Sequence, residues 1–464
     1  MSLDYATTSY PKNMSYHMER IVNYSKMPVK IECDRLGNVN HSETIRFKLP
    51  TNTLVDLDSL IWNFDFTTIK AAAADNNTCR YFPRNSASII DALYVYVNGT
   101  LLDATTYYNH LYNLISDHTC GKDFYESGLR DIENADPSFR LKYDNSNGTM
   151  APFVSSQATH TADDTDVNRR MSVRNWLGFL GTASTRVIDT SLLGDVVIEI
   201  RLAEPTITFK SGTANDNPAS YTINGSKTNM QITRITFGDS VYYDLLRNIV
   251  MNSGLAIGYK TYNSHRGNTF TKTAGTFTHQ FMVNANHLTK LISTTLPSTY
   301  QTEGKLLNKD QAKSWESQKD TTANLEQMFN QSAYFQKDAT GLGSINYEVN
   351  GVSMYPANQD VHDIINQNQV ALNLNGDIQA GCHPGMNGWG TFLKYYFMHV
   401  LSFEHIQNTS EFVLEGLDGK ASAISCKWSL NFDAPGIVGA LIPLVYSERQ
   451  QVLQINAGQQ ISII

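Results

Sequence analysis

"LYVYVNG" at 93–99 and "INYEVNG" at 345–351 decide the fold: each is an alternating apolar run that ends in Asn-Gly. Side chains that alternate with a period of two line one face of a strand, and Asn-Gly supplies the two positive φ angles of a tight hairpin turn. Each stretch therefore predicts a strand entering a hairpin. The chain writes this hairpin once in each half.

Two further landmarks point to duplication. "FKLPTNTLVDL" (47–57) and "FMVNANHLTKL" (281–291) share the frame F-x-[L/V]-x-x-N-x-L-x-x-L at an offset of 234 residues. Each half then closes on an alternating strand, "MQITRITF" at 230–237 and "ISCKWSLNF" at 424–432. A period this long is not that of a solenoid, whose units run about 20 to 50 residues. The expected organisation is an N-terminal tail (1–28), a first β-sandwich (29–250), a second (251–446) and a C-terminal tail (447–464).

Alternation recurs elsewhere. Ile424, Cys426, Trp428, Leu430 and Phe432 share one face of their stretch; Val196, Ile198, Ile200 and Leu202 share another, as do Ile45, Phe47 and Leu49. Turn dipeptides stand between, "NG" at 98, 147, 224 and 350 and "DG" at 418, as in sandwiches and barrels. Helical spacing is confined to 106–118, 240–250 and 321–332. The stretches 120–175 and 210–228 are polar, without a period, and are expected as surface loops.

At 464 residues the chain exceeds what one core serves, which agrees with two domains. A net charge of −8 with only 17% charged residues argues against a grip on nucleic acid and calls for a surface of uncharged polar groups. The opening "MSLDYATTSYPKNM" lacks a basic-then-apolar pattern, so no secretory signal is expected. The longest apolar run, 436–446, is too short to cross a bilayer. Cys33, Cys79, Cys120, Cys382 and Cys426 are scattered and odd in number, which reads as free thiols.

No catalytic signature is present: no phosphate loop, dinucleotide fingerprint, nucleophile elbow or HExxH. His399, Glu404 and His405 are the best metal candidates, yet on a strand 399 and 405 share a face and 404 points away. Asp163, Asp164, Asp166 and Asn168 have calcium-type oxygens but lack the glycine and closing glutamate of an EF-hand loop. Cys382 beside His383 has no third partner in the sequence. Sequons at Asn13, Asn23, Asn40, Asn76, Asn98, Asn147, Asn224, Asn330 and Asn408 reflect an Asn-, Ser- and Thr-rich chain. No catalytic, cofactor or metal residue is assigned, and the chain reads as a non-enzyme.

Three stretches carry a family resemblance: "FPRNSASIIDALYVYVNGTLLDATTYYNHLYNLISD" (82–117), "GDSVYYDLLRNIVMNSGLAIGYKTY" (238–262) and "FVLEGLDGKASAISCKWSLNF" (412–432). They resemble double jelly-roll major capsid proteins, most closely those of Polinton-like viruses and virophages. The resemblance implies an all-β fold of two tandem eight-stranded jelly-roll β-sandwiches with a few short helices in loops. It further implies a homotrimer with a pseudo-hexagonal outline that tiles the icosahedral shell of a double-stranded DNA virus, assembled inside the host cell. Its partners would be copies of itself, penton and minor capsid proteins reached through the tails, and no nucleic acid directly. A tandem β-sandwich lectin is the alternative; a bicupin would need an HxH pair, which is absent.

Overall fold

The two hairpins of the opening stretches are built alike. Asn98 and Gly99 have φ of 47° and 79°, and Asn350 and Gly351 have φ of 50° and 79°. In both, the Asn N–H donates to a carbonyl at the start of a later strand, Asp195 and Ser425, at 2.8 Å each. The computed structural model describes residues 24–69, 79–81, 85–120, 141–144, 149–152, 167–207, 209–211, 220–237, 254–300, 333–335, 337–355, 357–372, 390, 392–404, 413–420, 422–433, 439–456 and 460–463.

Eight strand positions recur in each half. In the first they are β1 (Tyr24–Glu32), β2 (Thr44–Lys48), β3 (Leu54–Ile69), β4 (Ile90–Val97), β5 (Thr100–Thr106), β6 (Val167–Val173), β7 (Val196–Leu202) and β8 (Asn229–Phe237). In the second they are β9 (Leu255–Arg266), β10 (Gly275–Val283), β11 (His287–Pro297), β12 (Leu342–Val349), β13 (Val352–Ser353), β14 (His399–Ser402), β15 (Ile424–Phe432) and β16 (Ala440–Asn456). The first half orders its sheets β1-β8-β3-β6 and β2-β7-β4-β5, the second β9-β16-β11-β14 and β10-β15-β12-β13. The second arrangement is the first with eight added to every number. All these pairings are antiparallel, as expected for jelly rolls.

The stretch 47–57 spans the β2–β3 connection, and 281–291 spans the β10–β11 connection, so the 234-residue offset joins equivalent positions. The closing strands do not match in this way. Residues 230–237 lie in β8, the last position, whereas 424–432 form β15, the seventh; the true counterpart of β15 is β7. Both strands alternate, and alternation reports a half-buried face, not a place in the sheet.

The cores follow the alternation. Burial switches residue by residue along β7 and β15, with Val196, Ile198, Ile200 and Leu202 inside the first sandwich and Cys426, Trp428, Leu430 and Phe432 inside the second. Trp62, Phe64 and Phe66 of β3 face Phe47, Leu93 and Val95 in the first core. Tyr347, Phe397 and Trp428 anchor the second, with Tyr347 and Phe397 both stacked on Trp428. Burying side chains of this size stabilises by about 1.5–3 kcal/mol each.

Helix α1 (Tyr108–Thr119) forms where the spacing of 106–118 predicts it. Helix α2 (Val361–Ala371) has no forecast in the sequence, although Asp360 and Asp363 form a capping box at its start. Both follow the fifth strand position of their half. The helices expected at 240–250 and 321–332 lie outside the described residues.

Other expectations are corrected. Residues 447–456, expected in a tail outside the sandwich, form the far end of β16, which pairs with β9 as far as Ile455 and with the strand Gln460–Ile463. Residues 24–28 belong to β1. Residues 167–173 and 220–224, expected as loop, are strands paired with the far half of β3. That half alternates polar Asn63, Asp65 and Thr67 with its aromatics, so its partners carry polar residues too and lack a clear apolar period. The "NG" at 224 opens a 3-10 turn, and neither Gly225 nor Gly419 has positive φ.

The hairpin glycines provide a clean test of the duplication. A Cβ at Gly99 or Gly351 meets nothing within 4 Å, so only backbone strain opposes a side chain there. Gly99→Ala and Gly351→Ala should each cost about 1–2 kcal/mol, alike within error, in urea unfolding. Unequal costs would mean that the two hairpins are not equivalent.

Candidate functional site

The most elaborate polar construction joins the two sandwiches. An edge strand presents unpaired N–H and C=O groups, and β9 is such an edge. The first half satisfies it with a segment that follows the one-turn helix Phe179–Thr182. Ser184 N–H donates to the Gly258 carbonyl at 2.7 Å, and its hydroxyl accepts from Gly258 N–H at 3.0 Å. Thr182 Oγ1 accepts from Lys260 N–H at 2.8 Å.

Further along, β9 runs beside β5. The Tyr259 hydroxyl reaches the Leu102 carbonyl at 3.2 Å, and Thr106 and Ser264 share a hydrogen bond of 2.6 Å. Tyr446 of β16 donates to the Tyr107 carbonyl at 2.8 Å, and Arg266 donates to the Tyr107 hydroxyl at 3.3 Å. Tyr259, Tyr262 and Tyr446 thereby join the hydrophobic core of the first sandwich.

Asp103 is the hub on the first side. It is 1% exposed, and burial pushes its pKa up against donors that favour the charged form. Those donors are Thr261 of β9, Phe179 N–H at 2.9 Å and Thr105 at 3.3 Å. Gly178, at φ 72°, makes the approach possible, because a Cβ there would stand 1.9 Å from Asp103 Oδ2. Next to this hub α1 is buried even on its polar side: Asn109 donates to the Tyr334 hydroxyl at 3.3 Å, and His110 stacks on Tyr334 at 4.8 Å. Burial pushes the His110 pKa well down, with Lys337 and Arg266 adding to the effect.

Behind β9 lies a charge cluster that balances itself. Lys260 Nζ sits 2.7 Å from Glu404 and 2.9 Å from Glu448; Lys290 Nζ sits 2.9 Å from Glu404 and 3.4 Å from Glu448. Tyr262 and Thr289 also donate to Glu448, at 3.0 and 2.9 Å. Burial alone would raise the Glu448 pKa, but Lys290 and Lys260 outweigh it and hold the carboxyl down to about 2.

The metal candidates do not converge. His399 is fully buried in β14, where Tyr347 stacks on it and Tyr355 lies within hydrogen-bond distance at 3.2 Å. Glu404 belongs to the lysine cluster, and His405 lies outside the described residues. Asp163, Asp164 and Asp166 also lie outside; Asn168 sits in β6 opposite Thr67. Cys382 and His383 are outside as well. Cys33 and Cys426 are buried free thiols. Among the described residues no group of three His, Cys, Asp or Glu could hold a metal, and no helix is long and apolar enough to cross a membrane. The seam residues escaped the sequence reading because Asp103, Asn109 and His110 look like surface residues until a second domain covers them.

Two pH and charge tests follow from these environments. Burial holds His399 at about 3, against about 6.5 in an unfolded chain. The unfolded state therefore binds the extra proton, and this contribution to stability is full above about pH 6.5 and declines as pH falls toward 3, by about 1.4 kcal/mol per pH unit. His399→Phe should remove that slope between pH 4 and 6 in unfolding titrations; an unchanged slope would contradict the assignment. The Glu448 contribution is present above about pH 4.3 and is lost as pH falls toward 2. Glu448→Gln leaves buried Lys290 and half-buried Lys260 short of a carboxylate and should cost about 3–5 kcal/mol.

No family model matches the chain, and no curated protein matches its sequence. Solved structures do. The PBCV-1 virus capsid aligns with a TM-score of 0.56 at 12% identity, covering 97% of this chain and 99% of that chain. The Sputnik virophage structure gives 0.55 at 10% identity over 98% and 92%. The mavirus major capsid protein gives 0.53 at 11% identity over 100% and 95%. Identities this low speak to architecture, and the architecture is the double jelly roll of these viral capsid proteins.

Proposed function

We propose that this chain is a major capsid protein, a structural component of the virion and not an enzyme, whose homotrimers tile the icosahedral shell of a double-stranded DNA virus of the Polinton-like or virophage kind. One observation carries the reading: an eight-position strand order written twice in one chain, and matched by viral capsid structures over nearly the full length of both partners. Duplication has a physical use in such a shell. Three chains of two similar sandwiches make six similar sectors, so a threefold object can occupy a sixfold lattice position.

The work is assembly. Within a trimer each chain buries a large, obligate contact against the next; between trimers the contacts are smaller and more polar, so that errors can dissociate and reform. Penton and minor capsid proteins are proposed to be reached through the two ends of the chain. The acidic balance suits a shell that leaves the genome to other components.

Light scattering on purified protein should give about 156 kDa, three times the 51.9 kDa chain, with hexagonal or triangular particles in negative stain. A stable 52 kDa monomer that binds glycans on an array would overturn the reading in favour of a lectin.

A further inference from the structure

We propose that the seam is acid-sensitive at one point: protonation of His110 drives its ring out from beneath Tyr300, Tyr334 and Phe335, so that α1 and the second sandwich part there while the sandwich cores stay folded. This goes beyond the assembly role above and holds for a single chain.

His110 lies on α1, in the first half, and is fully buried. Its cover comes from the second half: Tyr334 stacks on it at 4.8 Å, Tyr300 meets it edge-on at 5.3 Å and Phe335 lies against it at 5.5 Å. Helix α2, the counterpart of α1, carries His362 exposed. The burial of His110 is therefore a product of the seam and ends when the seam opens.

Among the described residues neither ring nitrogen of His110 has a hydrogen-bond partner, and neither has the buried Tyr300 hydroxyl beside it. An imidazolium carries two N–H donors and a full charge, so a site without acceptors tolerates the ring only while it is neutral. His118, two turns along α1, has its Nδ1 2.9 Å from the Leu114 carbonyl, an acceptor that His110 lacks.

The neighbours give a cation no support. On α1, Tyr107 stands 6.5 Å away, and the Asn109 amide is spent on the Tyr334 hydroxyl and the Ser88 carbonyl. From β9 comes Arg266, whose guanidinium lies 6.0 Å over the Tyr300 ring and takes the face that would attract a second cation. From the β11–β12 connection comes Lys337, fully buried, with Nζ 2.8 Å from the Phe335 carbonyl. From β16 comes the Tyr446 hydroxyl, which donates to the Tyr107 carbonyl. Burial holds the His110 pKa well down, and both cations add to it. The carboxylates on this side, Asp91 and Glu204, act on Tyr300 and Tyr334, and Asp91 is paired with Arg201.

Once exposed, His110 regains its ordinary pKa of about 6.5. The open form then binds the extra proton, so the contribution of His110 to closure is full above about pH 6.5 and falls about tenfold in equilibrium constant per pH unit below it. Asp103, in the same seam, works the other way: burial raises its carboxyl, so the closed form holds that proton more readily and acid favours closure. His265, His279 and His399 are also held down by burial, but they stack on Phe281 and Tyr347 inside the second sandwich and are released only when that sandwich unfolds.

Amide hydrogen exchange on the whole chain, read by mass spectrometry, tests this. The ratio of wild-type to His110→Phe exchange along α1 should rise about thirtyfold between about pH 7.5 and about pH 5, while the same ratio along β15 stays constant. Comparing two proteins at one pH cancels the intrinsic pH dependence of exchange, together with the contributions of Asp103 and the other histidines. His110→Gln, which also lacks a titrating ring, should give the same rise and replaces His110→Phe if the larger ring prevents folding. A ratio that stays flat along α1, or one that rises equally along β15 because the whole chain opens at once, would overturn the inference. A monomer in light scattering would overturn the homotrimer and leave this result as it stands.

Discussion

The open side of β9 is the constraint around which the molecule is organised. A strand at the edge of a sheet leaves peptide groups without partners, and burying them unpaired costs about twice what a hydrogen bond contributes. Two sandwiches cannot be pressed together at such an edge unless something satisfies it. Here Thr182 and Ser184 supply partners for the peptide groups of Lys260 and Gly258, Tyr259 reaches across to Leu102, and Asp103 accepts from the Thr261 hydroxyl. The charge cluster behind β9 and the buried polar side of α1 make sense only once that edge is sealed.

Duplication then acquires an asymmetry. Identical strand orders give both halves the same surfaces, yet only one β1-type edge and one α1-type helix are consumed within the chain. Selection can act differently on the covered and uncovered copies. The covered helix carries Asn109 and His110 against aromatic rings, whereas its counterpart keeps charged and amide residues facing outward. The two hairpins, which meet neither kind of constraint, retain nearly the same backbone angles.

Much of this fold was legible in the sequence because period-two burial and Asn-Gly turns are local signals. β4, β7 and β15 and both hairpins could be read directly, as could α1 from its apolar spacing. Helix α2 was not, because it buries little beyond Ile364, Asn368 and Ala371 and announces itself only through Asp360 and Asp363. Strand β6 was missed because its partner, the far half of β3, alternates polar with apolar residues. The far end of β16 looked like a tail because "SERQQVLQIN" is polar, although its place between β9 and the strand 460–463 makes it sheet. The seam itself left no trace, since a residue that will be covered by another domain has no periodicity of its own.

Because the seam lies within one chain, its two surfaces are never apart. Linking them by a continuous backbone sets an effective concentration that dilution cannot lower, so this contact forms as part of folding and is indifferent to how much protein a cell has made. In a ring of three such chains, half of the contacts between sandwiches would already exist before any encounter in solution. Only three molecules would have to meet where separate sandwiches would need six, and the dependence of ring formation on protein concentration would fall from the sixth power to the third.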